Sequence, residues 1–401
     1  MSRKHLFSDR VGRILPSATL EMTAKAAELK RLKKPVYNMS VGEPDFPTPE
    51  NIQQAGIYAI KNGITKYTPG AGTHNLKSAI QKKLQRDNNL TYDLNEIVVS
   101  CGGKHSLYNA CQVLFQAGDE VIIFKPYWVS FPDFVAVTGA KPVFVKTVKN
   151  KQFEPDFKDL KSKITNRTKG VIINSPSNPT GGVWSKDAIE KTLKICNSYN
   201  LWIFSDECYE QLTYNEPFQS LATLTKEREK IITFQSCSKT YAMTGWRIGY
   251  LAGEKSLVAN IGKLQGQSTS CPNSIAQHAA IEALVGDQTG VAHMREVFHK
   301  RRDLIIGLIK KIPNVECLIP NGAFYVFPNF GFYIGSKQKN GETINNSKDL
   351  CLYLLSETGV VTVDGDSFGA PNYIRFSYAT SEEIITKAMN LVTQAIKKLS
   401  F

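Results

Sequence analysis

Residues 236–250 read SCSKTYAMTGWRIGY. Lys239 stands between the hydroxyls of Ser238 and Thr240, Ser236 precedes it, and Arg247 follows. A lysine in so small-sided a stretch is either a polar loop residue between two strands or an amine that forms a Schiff base. In the second case the serines and the planar arginine fork would receive an anionic group beside it.

Four further stretches offer chemistry of a related kind. Cys101-Gly102-Gly103-Lys104 follows the apolar run EIVVS and opens a helical pattern. Two glycines there read as a turn, or as a cradle whose backbone amides approach an anion at a helix N-terminus. Ser175-Pro176-Ser177-Asn178-Pro179-Thr180-Gly181-Gly182 follows GVIIN; it is a proline-braced loop, or a rigid mount from which the Asn178 amide donates to a ligand oxygen. Asp206 and Tyr209 follow LWIFS. The acid either caps the next helix or meets a protonated ring nitrogen while Tyr209 donates to a ring oxygen. Trp128, after EVIIF, is core or a stacking surface for a planar ring. Together these residues ask for one planar, phosphorylated, carbonyl-bearing cofactor, and pyridoxal 5'-phosphate meets every requirement.

The elements that must position them are legible as well. Seven short apolar runs, at 96–100, 120–124, 142–146, 170–174, 201–205, 231–234 and 248–252, are mostly continuous, as expected of strands covered on both faces. Helical patterns at 104–115 and 187–199 lie between them. Such alternation predicts an α/β fold: a large domain with a mainly parallel sheet covered by helices, with ligands beyond the carboxyl ends of its strands. After an amphipathic stretch at 290–312 come GAFYVF (322–327), GVVTV (359–363) and YIRFSY (373–378), which alternate more and predict a smaller α+β domain. Residues 17–34 read as a helix ended by Pro35.

Composition bounds the function. The 401 residues are 42% hydrophobic and 21% charged, an ordinary globular balance that allows two domains. The net charge of +13 is scattered, as in KRLKK (30–34) and KEREK (226–230), with no basic stripe interleaved with aromatics, so nucleic acid is not an expected partner. The eight cysteines form no CxxC pair and no metal-spaced cluster, which favours a reduced compartment. MSRKHLFSDRVGR lacks the apolar core of a secretory signal, and no run approaches a membrane span. No membrane and no metal are expected, and a cytoplasmic enzyme is.

Motifs in order along nearly the whole chain carry a resemblance. They are PSAT (16–19), VGEPDF (41–46), KYTPGAG (66–72), GGK (102–104), PYWVSFP (126–132), NSPSNPTG (174–181), SDECYE (205–210), SKTYAMTGWRIGY (238–250), GAFYVF and RFSYATS (375–381). The chain resembles a class I, fold type I aminotransferase, specifically the bacterial aspartate aminotransferases. The resemblance implies a seven-stranded large domain and a small domain built from both chain ends. The boundaries are 1–45 for the N-terminal segment, 46–289 for the cofactor-binding domain and 290–401 for the small domain. It also implies a homodimer with shared active sites.

By the same resemblance Lys239 is the Schiff-base lysine and the acid/base of a ping-pong transamination from L-aspartate to 2-oxoglutarate. Asp206 would keep the ring nitrogen protonated, Tyr209 and Asn178 would donate to the ring oxygen, and Trp128 would stack. Gly102, Gly103, Lys104, Ser236, Ser238 and Arg247 would hold the phosphate, joined by Tyr67 of the neighbouring subunit. Arg375 would grip the substrate α-carboxylate beneath the Gly42 backbone, with Trp128 and Asn178 also lining the substrate. GKLQGQSTSCPNS (262–274) carries no arginine for the distal carboxylate, so Lys104, Ser17 and Thr19 are the expected recognition set. Such a grip is looser than an arginine fork. An aromatic or broad-specificity aminotransferase, or a β-lyase, are the alternatives. Leu15 precedes Pro16 and the nearest upstream basic residue is Arg13, a pattern that does not favour prephenate.

Overall fold

A computed structural model describes residues 7–14, 18–33 and 35–401, and only part of the side chains in the helix Ala18–Arg31. Seven strands form the central sheet: β1 (Ile97–Ser100), β2 (Glu120–Phe124), β3 (Lys141–Val145), β4 (Thr168–Asn174), β5 (Trp202–Asp206), β6 (Ile231–Ser236) and β7 (Gly249–Ala252). They lie in the order β1-β7-β6-β5-β4-β2-β3. The pairs β2–β3, β2–β4, β4–β5 and β5–β6 are parallel, whereas β7 runs antiparallel to both β6 and β1.

The continuous apolar runs have a direct cause. Successive strand residues point to opposite faces, and each face is covered. Val99, Ile122, Val171, Ile173, Ile203 and Tyr250 join one core. Val98, Val121, Ile123, Ile172, Phe204, Phe234 and Leu251 join another. A charged residue at any of these positions would be buried without water, so the runs cannot alternate with polar residues.

Helices pack on both faces. Helix α1 (His74–Asn88) starts at Thr73, whose hydroxyl accepts from the Leu76 amide, and ends at Asn89 in the left-handed region. Helix α2 (Gly103–Leu114) starts at Gly102, which has no side chain to cap it, so its first amides receive no side-chain acceptor from the cap residue.

The C-terminal third holds a third core around Phe298, Phe324, Tyr325, Phe376 and Met389, shared with Met22 and Met39. Helix α3 (Thr289–Ile309) leads into it. A three-stranded antiparallel sheet places Ile374–Ser377 between Tyr325–Val326 and Val363–Asp364. The strand Tyr37–Asn38 pairs in parallel with Val360–Val361, so the N-terminal segment completes this unit. GVVTV is therefore not one strand: Thr362, fully buried, separates two short strands that pair with different partners. Among the described residues no helix is long and apolar enough to cross a membrane, and no group of His, Cys, Asp and Glu is placed to hold a metal ion.

Candidate active site

The parallel strands end on one side of the sheet, and there the chain leaves a cavity of about 410 Å³. Its lining brings together Gly42, Gly103, Lys104, Trp128, Asn178, Asp206, Tyr209, Ser236, Ser238, Lys239, Arg247 and Arg375. A larger recess of about 500 Å³ lies nearby between Trp184, Glu207 and Phe218, but it includes neither Lys239 nor either of these arginines.

Lys239 follows β6 in the single turn Cys237–Thr240. Its ammonium donates to the carbonyl of Gly42. Burial lowers the pKa of this amine, and the charges of Arg247 and Arg375 lower it further against the opposing effects of Cys208 and Glu43. The site thus favours a neutral, nucleophilic amine. Asp206 ends β5 and is buried; desolvation pushes its carboxyl up to about 6, partly offset by a hydrogen bond from the Cys208 amide and by the Lys239 charge. A cation brought against it would restore the carboxylate.

The anion-receiving side is built from three segments. Ser236 Oγ accepts from the Ser238 amide at 3.1 Å and donates to Ser238 Oγ at 2.9 Å. Arg247, itself left-handed at φ 57°, is held by bonds from its guanidinium to the carbonyls of Thr244 (2.7 Å) and Cys101 (3.4 Å). Gly102 has φ 91°, and a Cβ there would fall 2.3 Å from Arg247 Nη2. Only glycine lets the arginine lie across the helix start. Lys104 lies 5.0 Å from the centre of the Trp128 ring, and burial and the neighbouring Arg247 both lower its pKa.

The other side is built around Arg375, in the strand Ile374–Ser377. Its guanidinium is buried over the rings of Tyr325 (4.7 Å) and Phe368 (5.0 Å). Nη1 donates to Asn178 Oδ1 at 2.8 Å and Nη2 to the Ser40 carbonyl at 2.6 Å, while Nε has no partner. Among the described residues neither Arg375 nor Arg247 is within ion-pair distance of a carboxylate. Arg375 is buried, and a buried arginine with no anion is costly, so its end of the cavity is prepared for an anionic ligand, while Arg247 offers an exposed guanidinium fork at the other end.

Two described candidates are not part of the cavity lining: Gly102, which sits behind it against the Arg247 guanidinium, and Tyr67, which is 90% exposed. Ser17 and the side chain of Thr19 lie outside the described residues. Three further lining or supporting residues were not among the candidates. Tyr325 shares a 2.8 Å hydrogen bond with Tyr209 and lies under Arg375. In GAFYVF it reads as core, and its burial agrees with that reading. Asn174 accepts from the Asn178 amide at 2.9 Å and donates to the Asp206 carbonyl at 3.2 Å, joining two strand ends. Cys208 lines the cavity beside Asp206.

Known proteins share this architecture. The family described as "Aminotransferase class I and II" matches residues 34–392. A "Probable aspartate/prephenate aminotransferase" of Rickettsia felis is 43% identical over 398 residues, 98% of this chain and 97% of its own. An "Aspartate aminotransferase" of Geobacillus stearothermophilus is 43% identical over 385 residues, covering 96% and 97%. The crystal structure of the aspartate aminotransferase from Rhizobium meliloti superposes with a TM-score of 0.95 at 39% identity, covering 99% of this chain and 100% of that one. A match over nearly the full length, on a sheet whose strand ends gather a lysine, an acid and two arginines, makes this chain a member of the class I and II aminotransferases.

Proposed function

We propose that the chain uses pyridoxal 5'-phosphate to transfer an amino group from L-aspartate to 2-oxoglutarate, giving oxaloacetate and L-glutamate in two alternating half-reactions. The observation that carries this reading is a cavity that holds the lowered-pKa amine of Lys239 beside Asp206, with Arg247 and Arg375, both without carboxylate partners, at its two ends.

The residues fit the cofactor. The phosphate would lie at the start of α2, against the Gly102–Gly103 amides, Ser236, Ser238 and Arg247, where a Cβ on Gly102 would fill the cradle. Asp206 would pair with the ring nitrogen, the cation that its raised pKa lacks. Tyr209 and Asn178 would face the ring oxygen, Trp128 the ring, and Lys239 would hold the group covalently. When bound, the cofactor supplies an electron sink for the charge that develops at the substrate Cα.

The chain's own residues do the rest. Arg375 fixes the substrate α-carboxylate with the fork now resting on Asn178 and Ser40, next to the Gly42 backbone. Freed by the incoming substrate, Lys239 Nζ would be the base that takes the proton from the substrate Cα and the acid that delivers it to the former carbonyl carbon of the cofactor. Its lowered pKa shifts the amine toward the neutral, basic form. Lys104, above Trp128, would meet the distal carboxylate together with Ser17 and Thr19. Tyr67, exposed here, would reach the phosphate held by a second copy, so the site is completed in a homodimer. With domain boundaries at residues 45 and 289, Arg375 would belong to the smaller unit and Lys239 to the larger one.

A second reading, with prephenate as an additional amino acceptor, has support in the name of the Rickettsia felis relative. Against it, Arg13 lies against Gly139 and is absent from the cavity lining. The deciding experiment is the absorption spectrum of the purified protein on adding L-aspartate with no acceptor. Loss of the lysine-bound cofactor band with stoichiometric oxaloacetate is expected, and 2-oxoglutarate or prephenate is then offered to restore it. Pyruvate and ammonia without an acceptor would indicate a β-lyase. Conversion by phenylalanine but not aspartate would indicate an aromatic specificity.

A further inference from the structure

Lys83 projects from the middle of α1 and is only 1% exposed. A lysine in QKKLQRD would ordinarily keep its ammonium in water. Here all three donors are used inside the protein: Nζ bonds Glu210, Asn88 Oδ1 at 2.8 Å and Gln235 Oε1 at 2.8 Å. Asp87 Oδ2 is 3.9 Å away but itself pairs with Arg86.

Two of these acceptors, Glu210 and Gln235, share a feature with Glu207, to which Gln235 donates. Glu207 and Glu210 are the chain neighbours of Asp206 and Tyr209, and Gln235 is the neighbour of Ser236. Gln235 and Ser236 are adjacent in β6, where side chains alternate, and Glu207 and Glu210 lie in the segment after β5 that carries Tyr209, so each site residue has an anchored neighbour in the chain. Gln235 ties the anchors together: its amide donates to Glu210 Oε2 at 3.0 Å and Glu207 Oε2 at 3.4 Å, and its oxygen accepts from Tyr250 at 2.7 Å. Glu207 also accepts from Ser205 and Ser220, both at 2.8 Å. A half-dismantled buried network is worse than none, so these groups move or hold as a unit.

We propose that Lys83 is a positioning residue of the cofactor site: through Glu210 and Gln235 it pins the ends of β5 and β6, and so fixes Asp206, Tyr209 and Ser236 where the cofactor binds. This rests on the cofactor reading given above. A plain structural ion pair would support the fold without setting cofactor affinity.

Lys83→Met alone leaves buried carboxylates without their cation and can prevent folding. The paired variant Lys83→Met/Glu210→Gln removes both charges and keeps the volume. It is expected to melt within a few degrees of the parent, to bind pyridoxal phosphate at least about tenfold more weakly, and to exchange the amides of residues 206–212 faster in the cofactor-free state while those of β2 are unchanged. A variant that melts like the parent and binds the cofactor within twofold of it overturns the proposal. The parent supplies an independent check. The amides of Glu207, Glu210 and Leu212 are hydrogen-bonded to Phe234, Glu207 and Tyr209 at 2.8–3.0 Å. In cofactor-free parent they should exchange as slowly as the sheet core, and rapid exchange there overturns the proposal with no variant needed. If the parent itself binds no pyridoxal phosphate, the cofactor reading fails first and this inference with it.

Discussion

Gly102→Ala offers a test in which the structure supplies its own control. Gly102 has φ 91° and ψ 158°, a region almost reserved for glycine, so an alanine there costs about 1–3 kcal/mol in backbone strain alone. Its Cβ would also lie 2.3 Å from Arg247 Nη2 and 2.8 Å from Cζ, far inside contact distance, so the guanidinium must leave. A charge-assisted hydrogen bond is worth about 1.5–3 kcal/mol. Losing the arginine–phosphate contact should therefore weaken pyridoxal phosphate binding roughly 10- to 150-fold. Gly118 separates the two effects: its φ is 98°, yet a Cβ there meets nothing within 4 Å. Gly118→Ala should lower the melting temperature and leave cofactor affinity unchanged. The assay is a spectroscopic titration of cofactor-free protein with pyridoxal phosphate, beside a thermal melt of each variant. Parent-like affinity in Gly102→Ala, or an equal loss in Gly118→Ala, would refute the placing of the phosphate at the start of α2.

Other outcomes follow from the same geometry. Burial holds the Asp206 carboxyl at about 6, above its ordinary value of 3.8. The native state therefore binds that proton more tightly than the unfolded chain, and this group's contribution to stability falls as pH rises from about 4 to about 6. In cofactor-free protein Asp206→Asn should remove that part of the fall, read as a melting temperature that gains on the parent's above pH 6; identical pH profiles would count against it. Arg375→Lys keeps the charge but loses the fork, and kcat/KM for L-aspartate should drop roughly 10- to 100-fold with little change in melting temperature; a drop under threefold would remove Arg375 from substrate binding. Lys104→Met should raise KM for aspartate more than for alanine, and equal effects on both would assign Lys104 to the phosphate alone. Tyr67→Phe should weaken cofactor binding in a protein that sediments as a dimer, and unchanged affinity would argue against a shared site.

What the chain could declare by itself was whatever depends on local pattern. Parallel strands buried on both faces leave uninterrupted runs such as EVIIF, so the sheet was readable, and so was a lysine whose neighbours are all small and polar. The Gly-Gly before a helix, the acid after LWIFS and the arginine in YIRFSY were each ambiguous, and order along the chain joined them. Tertiary structure decided the rest. Parallel pairing brings the ends of β4, β5 and β6 to one place, which no local window records. Tyr325 and Lys83 show why some positions stayed hidden. One is a tyrosine in a run of aromatics that reads as core, and it is core, with its hydroxyl turned to Tyr209. The other lies in a charged helix that reads as solvent-facing, and its ammonium instead meets Glu210 and Gln235, more than a hundred residues away. GVVTV makes the same point: its residues are all apolar or β-branched apart from the glycine, but which sheet each half joins depends on partners at Tyr37 and Arg375. A sequence records what each residue can do; which residues meet is settled by long-range pairing and by the requirement that every buried charge find a partner.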